Sequence, residues 1–275
     1  MNSPISLMNF SSARVWSLLV VCLLPVLALG QSSKAHIIVD TRTGKILDGR
    51  NYTDKLPVAS LTKVVTASVV LDWTTARNSD INALMIVPAE AFLENGANPL
   101  GLRAGDRISI RDGLSSALMA SDNVAAYTLA KHIGTEMWQM DGGKARSGVE
   151  FFVTQMNLLA EARGMTRSRF VNPDGSDAGR NKGYSTAADM VRITAYAIKK
   201  PSFNFIASQK QRDVSFQRGA EKLAFRIYNT NTLLEQFGVD GVNTGRTNSA
   251  GDCLITSVRK PDRIEQLPGN RQIRT

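Results

Sequence analysis

Pro57-Val58-Ala59-Ser60-Leu61-Thr62-Lys63-Val64-Val65-Thr66-Ala67-Ser68-Val69-Val70-Leu71 is the stretch on which the fold turns. Its periodicity is ambiguous, and its valines favour a strand, because branching at Cβ restricts χ1 in a helix. As a helix it is apolar nearly all round and must lie in the centre of the domain. Chemistry selects the helix. Positions i and i+3 share a helical face with Cβ atoms about 5–6 Å apart, which brings Lys63 to the Ser60 hydroxyl. A serine hydroxyl is a weak nucleophile until a base takes its proton, and burial favours the neutral amine that such a base requires. Alone, Ser-x-x-Lys carries little, since it also describes a helix cap followed by a surface lysine.

Two further signals lie downstream. Ser121-Asp122-Asn123 sits between helix-like segments. Its hydroxyl can relay a proton, and the Asn123 amide can both accept from and donate to a peptide; a plain turn with an N-cap fits the same residues. Thr244-Gly245, just before Arg246, lies in a strand-rich region. The threonine hydroxyl can bind a carboxylate and the glycine admits a close backbone, although a turn between strands would read alike.

Around these signals the organisation is mixed. Residues 35–40 and 45–48 are strand-like, with Thr41-Arg42-Thr43-Gly44 as a hairpin turn. Helices are expected over Val124–Ile133, stopped by Gly134, and over Val149–Arg163, stopped by Gly164. The second has a stripe of Val149, Phe152, Val153, Met156, Leu159 and Ala160. Thr186 with Asp189 resembles a capping box opening another helix, with Pro201 beyond its end. Asn172-Pro173-Asp174-Gly175 begins a turn-rich loop reaching Gly183. Val214–Phe216, Ala224–Tyr228 and Cys253–Val258 read as strands. The order implies an α+β domain in which the early hairpin and late strands share one mostly antiparallel sheet beneath a helical cluster.

Composition bounds the setting. Arg14 is the only charged residue among the first thirty, and the apolar run Val15–Leu27 is followed by Ala28-Leu29-Gly30. That is the layout of a secretory signal peptide over residues 1–30, and the run is shorter than the roughly 20 residues of a permanent membrane helix. An uncleaved anchor is the competing reading, and Val21-Cys22 makes a poor lipoprotein signal. Export is expected, to the periplasm or an extracytoplasmic cell wall, with no transmembrane anchor after cleavage. Removing that segment leaves Cys253 as the single cysteine, so no internal disulfide is expected. His36 and His132 join no ligand cluster, so neither metal nor cofactor is expected. The net charge of +9 suits an anionic wall polymer or lipid surface. Its basic residues are scattered without interleaved aromatics, however, which reads as a soluble surface and not as a nucleic-acid footprint.

Taken together and in order, the three signals form the trio of penicillin-binding proteins and class A β-lactamases. The chain resembles the D-alanyl-D-alanine carboxypeptidases of the low-molecular-mass penicillin-binding group, from about Ala35 to Lys260. Pro57–Lys63, Met119–Asn123, Phe170–Gly175, Tyr184–Ala187 and Gly238–Val242 leading into Thr244-Gly245 carry the resemblance. It implies a β-lactamase/penicillin-binding-like transpeptidase fold with a catalytic domain over 31–260 and a polar tail over 261–275. It also implies that Ser60 attacks the bond between the terminal D-alanines of a muropeptide stem while Lys63 takes the proton. Ser121 then passes a proton to the leaving group, and Asn123, Asn243, Thr244, Gly245 and Arg246 bind substrate. By the same resemblance, the backbone N–H groups of Ser60 and Arg246 would form the oxyanion hole. The implied partners are peptidoglycan muropeptides, with β-lactam antibiotics as acylating inhibitors.

Two departures stand out. The family pattern has lysine where this chain has Asn243, which opens the alternative of a catalytically weak penicillin- or peptidoglycan-binding protein, since a charge-assisted bond is roughly twice as strong as a neutral one. Relatives usually continue with a strand and a helix, so 261–275 reads as a possible truncated end of the domain. A β-lactamase is disfavoured because no Glu-x-x-x-Asn occurs in the 165–185 loop to supply a base for fast deacylation.

Overall fold

The structure, a computed structural model, describes residues 33–93, 96–143, 145–177 and 182–259. The segment read as a signal peptide and the tail over 261–275 lie outside the described residues. The described residues from Lys34 to Arg259 form one compact unit.

The stretch around Ser60 is helical. A 3-10 turn, Ala59–Leu61, runs into helix α1, Thr62–Arg77. Every residue from Thr62 to Leu71 is buried, as an all-round apolar helix requires. Burial explains why the valines do not extend as a strand: α1 is packed against five further helices, α2 (Ile110–Met119), α3 (Asn123–Met140), α4 (Gly148–Ala162), α5 (Ala187–Ala197) and α6 (Pro201–Ala207). Tertiary packing overrides a weak β preference. Asn78, at φ 49°, closes α1 in the left-handed conformation that asparagine tolerates at a helix end.

Eight strands form three antiparallel sheets among the described residues. β1 (His36–Asp40) pairs with β2 (Lys45–Arg50). β3 (Leu84–Ile86), β4 (Arg107–Ser109), β5 (Gln211–Arg218) and β6 (Glu221–Tyr228) pair in that order. β7 (Val239–Thr247) pairs with β8 (Gly251–Val258). The expected strands are present, but the early hairpin and the late strands do not share one ladder. β5 and β6 instead extend a ladder begun by β3 and β4, three-residue strands too short to leave a period in the sequence.

The helices start as expected and one ends later. Asp122, Ser147 and Thr186 cap α3, α4 and α5, each side chain accepting an N–H at 3.0–3.2 Å. Asp189 does not complete a capping box. Its carboxylate accepts from Arg167 N and Ser168 Oγ, tying α5 to the preceding loop. Gly134 does not stop α3, which runs six residues further. It is where α3 meets α4: a Cβ there would lie 2.1 Å from Gly148 O and 2.8 Å from Phe152 Cβ. Gly134→Ala should therefore lower the unfolding free energy by about 1–3 kcal/mol, the range of an overpacked core. Urea unfolding checks this; an unchanged midpoint would mean that the α3–α4 crossing opens freely.

Candidate active site

Four segments converge on the start of α1: the 3-10 turn itself, the α2–α3 turn, the Asn172–Gly175 turn and β7. Lys63 is the hub. Its side chain is 1 % exposed, and Nζ lies 2.9 Å from Ser60 Oγ, 2.7 Å from Asn123 Oδ1 and 3.0 Å from the Asp174 carbonyl oxygen. Burial pulls its pKa from 10.5 down to about 8, while the charges of Asp174 and Asp122 hold it up. An ammonium donates to all three oxygens. A neutral amine donates to two and offers its lone pair to the third, so at Ser60 the direction can reverse and the hydroxyl proton can pass to nitrogen.

The Asn172–Gly175 turn fits beneath Ser60 because residue 175 has no side chain. A Cβ on Gly175 would lie 1.9 Å from Ala59 O and 2.7 Å from Thr62 Oγ1. Asn172 Oδ1 accepts the Gly175 N–H at 2.8 Å, and Thr66 Oγ1 donates to Pro173 O at 2.6 Å. These contacts aim the Asp174 carbonyl at Lys63. The sequence shows this turn as the start of a turn-rich loop and as part of the resemblance, but gives it no place in the site; Asn-Pro-Asp-Gly is the available signal.

Ser121 links α2 to α3 at φ 56°, a left-handed conformation costly for serine. Its side chain lines the cleft and makes no hydrogen bond among the described residues. Asp122, fully buried, accepts from Ser116 Oγ at 2.7 Å and Ala125 N at 3.0 Å, and desolvation raises its pKa against those bonds. Asn123 N donates to Ala97 O at 2.8 Å. Its Oδ1 serves Lys63, which leaves Nδ2 as the amide donor for a ligand.

β7 forms the opposite wall. A Cβ on Gly245 would come within 2.7 Å of Ser60 N, so glycine sets how closely the strand approaches the nucleophile's backbone. Thr244, Gly245 and Arg246 line a cleft of about 680 Å³ that also contains Ser60, Ser121 and Asn123. Asn243 lies behind it, fully buried, donating Nδ2–H to Ser60 O at 3.3 Å and accepting Thr244 N–H at 2.8 Å. The structure thus brings seven of the eight predicted residues to the cleft or its floor and puts Asn243 in the support of β7. Thr230 and Cys253, which also line the cleft, were not anticipated.

The family described as "D-alanyl-D-alanine carboxypeptidase" matches residues 26–264. The chain is 34 % identical over 226 residues to a D-alanyl-D-alanine endopeptidase of Pseudomonas aeruginosa, covering 82 % of this chain and 66 % of that protein. It is 29 % identical to the D-alanyl-D-alanine carboxypeptidase DacF of Bacillus subtilis, covering 84 % and 55 %. The chain therefore spans between about half and two thirds of these relatives' lengths. The Streptomyces K15 DD-transpeptidase superposes with a TM-score of 0.72 at 26 % identity, covering 82 % of this chain and 84 % of that one. A Listeria monocytogenes penicillin-binding protein D2, in an ampicillin-bound form, shares the fold at a TM-score of 0.68 and 24 % identity, with 83 % and 84 % covered.

If the neutral Lys63 amine is what activates Ser60, acylation of Ser60 should rise with pH and level off above a midpoint near 8. The sign follows from the lowered pKa: the competent form is deprotonated and accumulates as pH climbs. Stopped-flow acylation between pH 6 and 10 measures it, and a rate flat across that range would remove Lys63 from the proton transfer.

Proposed function

The chain belongs to the D-alanyl-D-alanine carboxypeptidase family, and on that premise we propose that it is a serine-type carboxypeptidase that removes the terminal D-alanine from peptidoglycan stem pentapeptides through an acyl-enzyme on Ser60. The observation that carries this reading is the Lys63 Nζ–Ser60 Oγ contact of 2.9 Å at the buried junction of the 3-10 turn and α1.

In the proposed reaction Ser60 Oγ attacks the carbonyl carbon of the penultimate D-alanine while neutral Lys63 accepts the hydroxyl proton. The oxygen that becomes negative is held by the N–H groups of Ser60 and Arg246, donors positioned for the charge that develops; the close approach of Gly245 to Ser60 N supports that pairing. Ser121 passes its hydroxyl proton to the departing nitrogen and is resupplied from the Lys63 ammonium, so the C–N bond breaks, D-alanine leaves, and Lys63 is again a neutral amine. Asn123 Nδ2 holds the substrate amide. Water then adds to the ester, its proton passes back through Lys63, and Ser60 regains its hydroxyl. A β-lactam enters the same first step, but its leaving amine stays tethered to the acyl group, which favours a long-lived ester.

The lysine that the family pattern carries at position 243 is replaced here by an amide that holds the Ser60 carbonyl and the Thr244 N–H. No contact in the site favours a merely weak binder on that account. Residues 31–260 are assigned to the catalytic domain, and 1–30 to a signal peptide that directs export to the periplasm or cell wall, where family members meet peptidoglycan. No helix among the described residues is long and apolar enough to cross a membrane.

A fluorescent penicillin should label the chain, with the adduct on the peptide containing Ser60, and a D-Ala-D-Ala pentapeptide should release D-alanine. Lys63→Met, which keeps the bulk but removes the base, should slow acylation by about 10²–10⁴-fold, the usual contribution of a general base. Labelling that persists in Ser60→Ala would displace the mechanism. Rapid release of the penicillin would instead indicate a β-lactamase.

A further inference from the structure

Thr230 sits between two asparagines whose side chains turn inward. Asn229 Nδ2 donates to Ala207 O and Gln209 O at 3.2 and 3.0 Å, and its Oδ1 accepts the Asn231 N–H at 2.9 Å. Asn231, 2 % exposed, donates Nδ2–H to Gly241 O at 3.0 Å and accepts the Leu233 N–H at 3.1 Å. The Thr230 N–H itself donates to Met119 O at 2.9 Å, at the end of the helix that precedes Ser121. The backbone is thereby pinned to both walls of the cleft. Only the Thr230 side chain faces outward, with Oγ1 2.7 Å from Thr244 Oγ1.

Among the described residues, the cleft lining near this pair carries two carboxylates and one guanidinium, and so no surplus of positive charge. The charged groups lining the cleft, among the described residues, are Asp177, Arg246 and Asp252. Arg246 Nε lies 3.5 Å from Asp252 Oδ1, with both side chains mostly exposed, and Asp177 accepts from Ser249 N and Oγ. Lys63 on the floor is committed to Ser60, Asn123 and Asp174. We propose that Thr230 is a specificity-determining residue that forms, with Thr244, an uncharged two-hydroxyl receptor for the leaving-group side of the substrate. Such a receptor accepts a continuing peptide as readily as a free C-terminal carboxylate.

Hydrogen-bond inventory supports that choice. Two hydroxyls bring two donors, and their mutual bond uses one. What remains is one O–H and acceptor lone pairs, which complement a peptide group with its C=O and N–H. A carboxylate only accepts, so binding it through both hydroxyls breaks the Thr230–Thr244 bond and supplies no countercharge. The inference rests on the acyl-transfer reading of Ser60 and adds which peptides the cleft selects.

The test compares peptides ending in D-Ala-D-Ala as the free acid, as the C-terminal amide, and extended by one further residue, with penicillin labelling of Ser60 recorded in parallel. Wild type should cleave the D-Ala–D-Ala bond of all three with kcat/KM values within about threefold, and raising salt from about 20 to 500 mM should change the free-acid value little. Thr230→Val should raise KM for every peptide by about three- to tenfold, the scale of one neutral hydrogen bond, with kcat nearly unchanged. Thr230→Arg should favour the free acid over the amide by at least about tenfold. A wild-type preference of more than tenfold for the free acid, or a Thr230→Val variant with unaltered KM, overturns the inference; if Ser60 is still labelled, the acyl-transfer reading stands. Absence of both labelling and cleavage removes that reading, and the inference falls with it.

Discussion

Nearly everything in the site is arranged around an amine that has been taken out of water. Lys63 Nζ exchanges solvent for three oxygens at 2.7–3.0 Å, from its own helical turn, from α3 and from the Asn172–Gly175 turn. An unpaired buried ammonium is very costly, so each acceptor must hold its place. The same burial makes the lysine useful. With a pKa about 8 instead of 10.5, roughly one amine in ten is neutral at pH 7, against about one in 3,000 for an ordinary lysine. The charges of Asp174 and then Asp122 oppose the shift by stabilising the ammonium.

Close backbone approaches and local strain follow from that demand. Ala59 at φ 48° and Ser121 at φ 56° occupy a left-handed region that costs non-glycine residues free energy. Both lie where the chain must present a hydroxyl to the cleft, at Ser60 and at Ser121 itself. Gly175 and Gly245 clamp the Ser60 turn from two sides, where any side chain would overlap Ala59 O or Ser60 N. Asn243 adds a third tie, from β7 to the Ser60 carbonyl. The nucleophile's position is therefore set by backbone contacts from segments distant in sequence.

Much of this was legible in the sequence, for identifiable reasons. Ser60 and Lys63 were placed because helical spacing makes their chemistry possible, and the cap at Thr186 because capping is local. What failed was non-local. Gly134 read as a helix stop because a glycine that admits a neighbouring helix is indistinguishable from one that ends its own. β3 and β4 were missed because three residues carry no period, and with them went the ladder that β5 and β6 join. Asn243 looked like a ligand because the strand's buried face is invisible before the 3-10 turn is seen packed on it. Thr230 gave no signal at all beyond the polar triplet Asn229-Thr230-Asn231, whose outer members prove to be anchors.

The assigned function, the pH behaviour and the choice of Lys63 as base all depend on one property, the neutral amine beside Ser60. The most direct test is an NMR titration of Lys63 in the folded protein, following its side-chain Cε resonance with the other lysines as internal references. The account predicts that Lys63 titrates near pH 8, about 2 units or more below the exposed lysines. A midpoint at or above the ordinary lysine value would mean that Lys63 stays an ammonium in the resting site, and the base would have to be sought elsewhere.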